Sequence, residues 1–197
     1  MRKNLYRMTV PIVAAAALSA CMGSGEGMAP MASAGAQSTS MVGGAAMYSN
    51  RTIVQNAVNS RDHTTLVAAV QAAGLADTLS GPGPFTVFAP TNAAFARLPA
   101  GTVETALRPE NRAMLQGVLT YHVVPGRLTA ADLMRQIRAG GGTARLTTVQ
   151  GGTLTARMMG RNIVLTDARG GRATVTQADV MQSNGVIHVT DAVSLPG

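Results

Sequence analysis

FTVFAPTNAAFARLP, residues Phe85 to Pro99, packs a strand, a stop and a helix start into fifteen residues. Phe85, Val87 and Ala89 alternate with Thr86 and Phe88, the pattern of a half-buried strand. Pro90 has no backbone N–H to give to a ladder, so the strand ends there. Thr91 or Asn92 is then placed to cap a helix by accepting from the free amides of its first turn. Phe95 and Leu98 follow at a spacing that puts them on one helical face.

Working outward, the turn cluster Gly81-Pro82-Gly83-Pro84 leads into this strand. Before it lie two helical patterns. Ile53, Val54, Ala57 and Val58 form the first; Leu66, Val67, Val70, Ala73 and Leu75 form the second, with Asp62 as its expected cap and Gly74 at its close. After Pro99 to Gly101 break the chain, Glu110 to Thr120 is helical in period. Tyr121 to Val124 then turns extended up to Pro125-Gly126. Thr129 to Arg138 is a further helix, with Thr129 and Asp132 spaced as a capping box. Beyond Gly140 to Gly142 the pattern changes to alternation: Leu154 to Met158, Ile163 to Leu165 and Ala173 to Gln177 read as strands, and Asn184-Gly185 as a hairpin turn into VIHVTDAVSLP. Helices in the first two thirds and strands in the last make the chain α+β. The Phe85 strand must pair with strands about a hundred residues later, which ties both halves into one core.

The chain has 197 residues, enough for one domain with extensions. Arg2, Lys3 and Arg7 precede an apolar run from Met8 to Leu18, the form of an export signal too short to span a bilayer. Leu18-Ser19-Ala20-Cys21 resembles the lipobox of bacterial lipoproteins. In that reading residues 1–20 are a signal peptide and Cys21, the single cysteine, becomes the lipidated N-terminus. Ordinary cleavage near Ala20, giving a secreted protein, is the alternative, and Met22 after the cysteine leans towards the outer membrane over a periplasm-facing leaflet. Residues 21–50, rich in Gly, Ala, Ser and Met, read as a flexible tether. Their five methionines are soft ligands suited to copper, but the spacing is irregular and favours a linker. Residues 51–197 are the expected domain.

Sixteen Lys and Arg stand against nine Asp and Glu. Three of the basic residues lie in the export signal, so thirteen arginines remain and the net charge falls to +4. Spread from Arg51 to Arg172, they read as a solvated surface, not a nucleic-acid patch. With three Phe, three Tyr and no Trp, stacking on bases is poorly supplied. No cysteine pair follows Cys21, so no disulfide framework is expected.

Three segments together resemble the fasciclin domain: TVFAPTNAAF (86–95), YHVVPG (121–126) and NGVIHVTDAVSLP (184–196) match its first box, Tyr-His segment and second box. The resemblance covers roughly residues 52–196. It implies a wedge-shaped β-sandwich of about seven strands with several packed helices. Thr91, Asn92, Phe95, Asn184, Gly185, His188 and Asp191 stand where the family pattern puts them, and their role by resemblance is structural. The resemblance also implies an adhesion or interaction module, not an enzyme, whose partners are protein, matrix or envelope components. Animal members link the Tyr-His segment to integrin binding. The surface carried over from that resemblance is Tyr121, His122, Val123 and Arg127.

The chemistry weighed against this is thin. His63, His122 and His188 invite a metal or acid–base role, but His188 alternates with Ile187 and Val189 and reads as a hydrogen-bonded core imidazole. His188 and Asp191 point to opposite faces of a regular strand. No serine sits in a nucleophile elbow, the acidic residues fall at caps and turns instead of as a catalytic pair, and Gly140 to Gly142 lacks the Lys and Ser/Thr of a phosphate loop. The expectation is therefore an envelope-anchored adhesion module with no cofactor. The alternative is a periplasmic protein that holds a small ligand or a metal.

Overall fold

The computed structural model describes residues 38–197. The expected export signal, the expected lipidation site Cys21 and the first part of the expected tether lie outside the described residues. The elements run β1 (Thr39–Val42), β2 (Ala45–Tyr48), α1 (Ile53–Ala57), α2 (Thr64–Ala73), α3 (Ala76–Ser80), β3 (Phe85–Pro90), α4 (Asn92–Ala96), α5 (Thr102–Ala106), α6 (Arg112–Tyr121), β4 (Val123–Pro125), α7 (Ala130–Ala139), β5 (Thr143–Thr147), β6 (Thr153–Met159), β7 (Asn162–Thr166), β8 (Arg172–Gln182) and β9 (Gly185–Thr190). The fold is α+β, as read from the sequence. None of the helices among the described residues is long and apolar enough to cross a membrane.

Seven strands form one sheet in the order β4-β3-β9-β8-β7-β6-β5. Register shifts within β8 bend it, so Arg172 to Thr174 pair with β7 while Val175 to Gln182 pair with β9. The curl brings the two ends together, and the Val149 amide donates to the Val123 carbonyl at 2.8 Å. The result is close to a barrel. Its interior holds Phe88, Tyr121, Leu133, Ile137, Leu154 and Leu165. A second core, between the helices and the other face of β3 and β9, holds Ile53, Leu66, Val70, Val87, Leu119 and Ile187.

The strand at Phe85 is the partition between the two. It pairs in parallel with β9, Phe85 facing Gly185 across a separation of one hundred residues, and antiparallel with β4. Val87 and Ala89 serve the helical core, and Phe88 serves the barrel. Both faces are therefore buried from Thr86 to Pro90, not one as the alternation implied. Thr86 is polar yet fully enclosed, because its hydroxyl donates to the Gly126 carbonyl and accepts from the Leu128 amide. Gly185 has a direct reason: a Cβ there would lie 2.1 Å from the Phe85 carbonyl oxygen.

Several expectations are corrected. Residues 39–48 are not tether but a hairpin, turned at Gly43 and Gly44 with φ of +56° and +74°. Its Val42 and Met47 are in the helical core, and the Asn56 side chain clamps the Tyr48 backbone through both its N–H and its C=O. Four-residue strands built of small residues carry too little periodicity to stand out from a linker. The helix of the capping pair is shorter than it reads, and Phe95 is only half-buried against the core. Tyr121 closes α6 instead of opening a strand. Strand β5 and helix α5, both short, were not read at all. Asp62 caps nothing.

Of the two residues offered as the α4 cap, Thr91 does it, its hydroxyl accepting from the Ala94 amide. Asn92 instead serves α2: its Oδ1 accepts from the Thr65 amide, and its Nδ2 donates to the Arg61 carbonyl and the Thr64 hydroxyl. Helix α2 has no side-chain cap of its own, so Asn92 satisfies an orphan donor from another element. Asn92→Ala is expected to cost about 1–2 kcal/mol in urea unfolding, with α4 still capped. An unchanged midpoint would show that water replaces the bond.

Candidate functional site

The Tyr-His segment begins where α6 runs out. Helix α6 keeps Leu115, Leu119 and Tyr121 buried, and the change to the extended β4 swings the chain into the sheet. Tyr121 is fully buried, His122 3 % and Val123 4 % exposed. The Tyr121 hydroxyl donates to the Thr153 carbonyl at 2.8 Å and accepts from the Ala168 amide at 3.1 Å. Burial pushes this phenol above its ordinary value, with the Ala168 amide pulling the other way. The ring lies so close to Gly152 that a Cβ there would meet it at 2.6 Å.

His122 is held at both nitrogens. Nδ1–H donates to the Val118 carbonyl at 2.8 Å, and Nε2 accepts from the Ser194 amide at 3.0 Å, which fixes a neutral tautomer. Burial, the largest cause, lowers its pKa. The surface assigned to Tyr121, His122 and Val123 is thus corrected: all three are interior struts. Only the turn beyond them reaches solvent, where Pro125 and Arg127 are exposed. Arg127 leans over the β8–β9 turn, with long 3.4 Å contacts from Nη2 to the Gln182 and Ser183 carbonyls. It borders an open polar notch of about 540 Å³ with Pro82, Ser183 and Asn184.

The other box residues also work inside the fold. Asn184 accepts from the Ile53 amide and donates to the Leu79 and Gly81 carbonyls, joining its turn to two segments more than a hundred residues away, the start of α1 and the end of α3. His188 is fully buried, stacked on Phe88 at 5.5 Å between ring centroids. Its Nε2–H donates to the Leu128 carbonyl and its Nδ1 accepts from the Asp179 amide, so it is neutral, with its pKa lowered first by burial. Asp191 does not meet His188; it accepts from the Thr174 amide at 2.6 Å and carries Arg97 at the surface. The His188–Asp191 dyad is therefore absent, as their opposite strand faces require. Among the described residues, no group of three His, Cys, Asp or Glu side chains is placed to hold a metal ion.

One residue of this network escaped sequence reading. Asp167 is 8 % exposed and accepts from the Arg169 and Gly171 amides through Oδ1 and from the Leu195 amide through Oδ2. It pins the C-terminal segment beside Tyr121 and His122. The signal was Asp-x-x-Gly-Gly, an aspartate bonding its own turn. An apolar groove of about 210 Å³ also lies between α4, α5, α6 and the C-terminal segment, lined by Phe95, Val103, Leu107, Met114 and Val193.

The family model described as fasciclin domain matches residues 61–196. Protein sll1483 of Synechocystis sp. is 46 % identical over 183 residues, covering 91 % of this chain and 94 % of its own. Immunogenic protein MPB70 of Mycobacterium bovis is 35 % identical over 145 residues, covering 71 % and 66 %. Among solved structures, a FAS1 domain pair from the insect cell adhesion molecule Fasciclin I superimposes with a TM-score of 0.51 at 26 % identity. That match covers 64 % of this chain and 42 % of the insect one.

Proposed function

The chain belongs to the fasciclin domain family, and from that premise we propose that it is an extracytoplasmic interaction module, anchored to the cell envelope through lipidated Cys21, that binds protein or surface partners and catalyses nothing. The observation that supports this is the internal use of its polar box residues. Tyr121, His122, Asn184 and His188 are all enclosed and hydrogen-bonded to backbone, which is the work of holding a scaffold. A scaffold of this kind offers its exterior to a partner. The likeness to a cell adhesion molecule supports the same reading. At the Tyr-His segment the contact falls to the exposed turn, with Arg127 as its charged group.

Beads coated with the full chain are expected to adhere to the envelope of its host cells and to be displaced by free chain. Arg127→Ala weakens that adhesion, while Cys21→Ser moves the expressed protein from the membrane to the soluble fraction. Adhesion no greater than that of beads bearing an unrelated lipoprotein would end the proposal. A second reading, a periplasmic carrier of a small ligand, is favoured by the apolar groove beside α5. Native mass spectrometry of protein from its own host separates the two, since a carrier shows added mass beyond the lipid anchor.

A further inference from the structure

Between Asp132 and Asp167 the chain has five arginines and no acid. The strand registers collect charge from this stretch and from β8 onto one surface. On β5 to β8 the residues Ala144, Leu146, Ala156, Leu165 and Ala173 point into the barrel, so the alternate positions face out. Arg145 stands opposite Thr155, Thr155 opposite Thr166, and Thr166 opposite Arg172, a row across four strands. The next row is Thr143, Arg157, Val164 and Thr174. At the usual strand spacing Arg145 and Arg172 are about 14 Å apart, with Arg157 between them one row over. Among the described residues none of these three arginines has a carboxylate within ion-pair distance. Among the described residues Arg157 Nε and Thr166 Oγ1, on the same face, are buried without a hydrogen-bond partner.

We propose that this outer face of β5 to β8 binds an extended acidic polysaccharide, its carboxylates on the arginines and its hydroxyls on the threonines. Guanidinium forks pair with carboxylates in two parallel bonds, and a threonine hydroxyl both donates and accepts, which matches the hydroxyls of a sugar ring. The two rows hold no aromatic ring on which a nucleobase would stack. Within the two rows Val164 is only 4 % exposed, and Met159 at the end of β6, half exposed on the same face, is one bulky apolar side chain, too little to enter a membrane. The inference rests on the interaction-module reading and names its partner.

The test uses the full chain and polygalacturonate, with dextran, polyglutamate, phosphatidylglycerol vesicles and a DNA oligonucleotide as comparators in calorimetric titrations. Polygalacturonate binds in a salt-sensitive manner, and the comparators bind more weakly or not at all. The double variant Arg145→Gln/Arg172→Gln loses about tenfold or more in affinity, as expected for two charge-assisted contacts. Arg108→Gln, in the turn after α5, leaves it unchanged. If the double variant melts below the parent, the single exposed change Arg145→Glu gives the reading instead. No binding to polygalacturonate overturns the proposal. So does undiminished binding by the variant, or equal binding to polyglutamate, vesicles or DNA. If host-cell adhesion persists in any of these cases, the interaction module stands and only its assigned partner falls.

Discussion

Tyr121→Ala is expected to lower the unfolding free energy by about 4–5 kcal/mol, and Tyr121→Phe by about 2 kcal/mol. The ring is fully buried in the barrel and backed by Gly152, so truncation leaves a cavity that a backbone pressed this close does not refill. The hydroxyl bridges the Thr153 carbonyl at the start of β6 and the Ala168 amide in the loop after β7. Removing it orphans one donor and one acceptor inside the fold, each costly when left unmet. Urea unfolding followed by circular dichroism measures both losses. A phenylalanine variant as stable as the parent would show that the two bonds contribute nothing net, and an alanine variant near the parent would contradict the packing. The consequence for binding studies is direct. Loss of a partner in Tyr121→Ala reports an unfolded domain, so an effect on recognition must be sought with Arg127 or the outer arginines.

Acidification is expected to cost up to about 4 kcal/mol between pH 7.5 and 5.5. His63, His122 and His188 are buried and neutral, their pKa values lowered from 6.5 first by burial, with nearby Asp62, Asp167 and Asp179 acting in the opposite direction. For a histidine lowered in the folded state, the unfolded chain takes up the proton first. Stability is therefore full above pH 6.5 and is lost as pH falls from there through the folded values. Each histidine that stays neutral contributes about 1.4 kcal/mol per pH unit to the slope. His63 is held at Nδ1 by the Ser60 hydroxyl, and the Ala89 backbone beside it acts against the lowering by burial. Urea unfolding at the two pH values tests this; equal stability at both would mean that the imidazoles titrate in the fold as they do in the unfolded chain.

Much of this fold is legible where pattern and chemistry agree. Phe85 to Pro90, the Gly74 stop and the Thr129 cap are local statements, and the structure repeats them. What failed was exposure. Alternation in Phe85 to Ala89 shows two faces but not that both are covered, because the second cover is a barrel assembled from residues 121 to 175. The same limit hid the candidate surface. Tyr121 and His122 sit beside a Pro-Gly turn and read as exposed, yet the C-terminal segment and the 167–171 turn close over them. The outer arginines are scattered in sequence, and only the strand registers make them neighbours. The hairpin at 39–48 was missed for the opposite reason, since its residues are too small to announce a strand.

The parallel pairing of β3 with β9 also bears on how the chain becomes a domain. Bringing residues a hundred positions apart together costs about 4 kcal/mol of loop entropy before any contact repays it. A chain that emerges N-terminus first, from a ribosome or through a membrane, exposes its central strand long before the partner at Gly185 arrives. Until then β4 can cover only one side of Thr86 to Pro90, and the side that faces β9 stays an open edge, the state in which strands find wrong partners. Completion waits for residues 184–194, where Asn184 ties the start of α1 and the end of α3 to the β8–β9 turn and Ser194 meets His122. A chain shortened by those residues loses its latch as well as its end, and the domain should behave as all or nothing in synthesis.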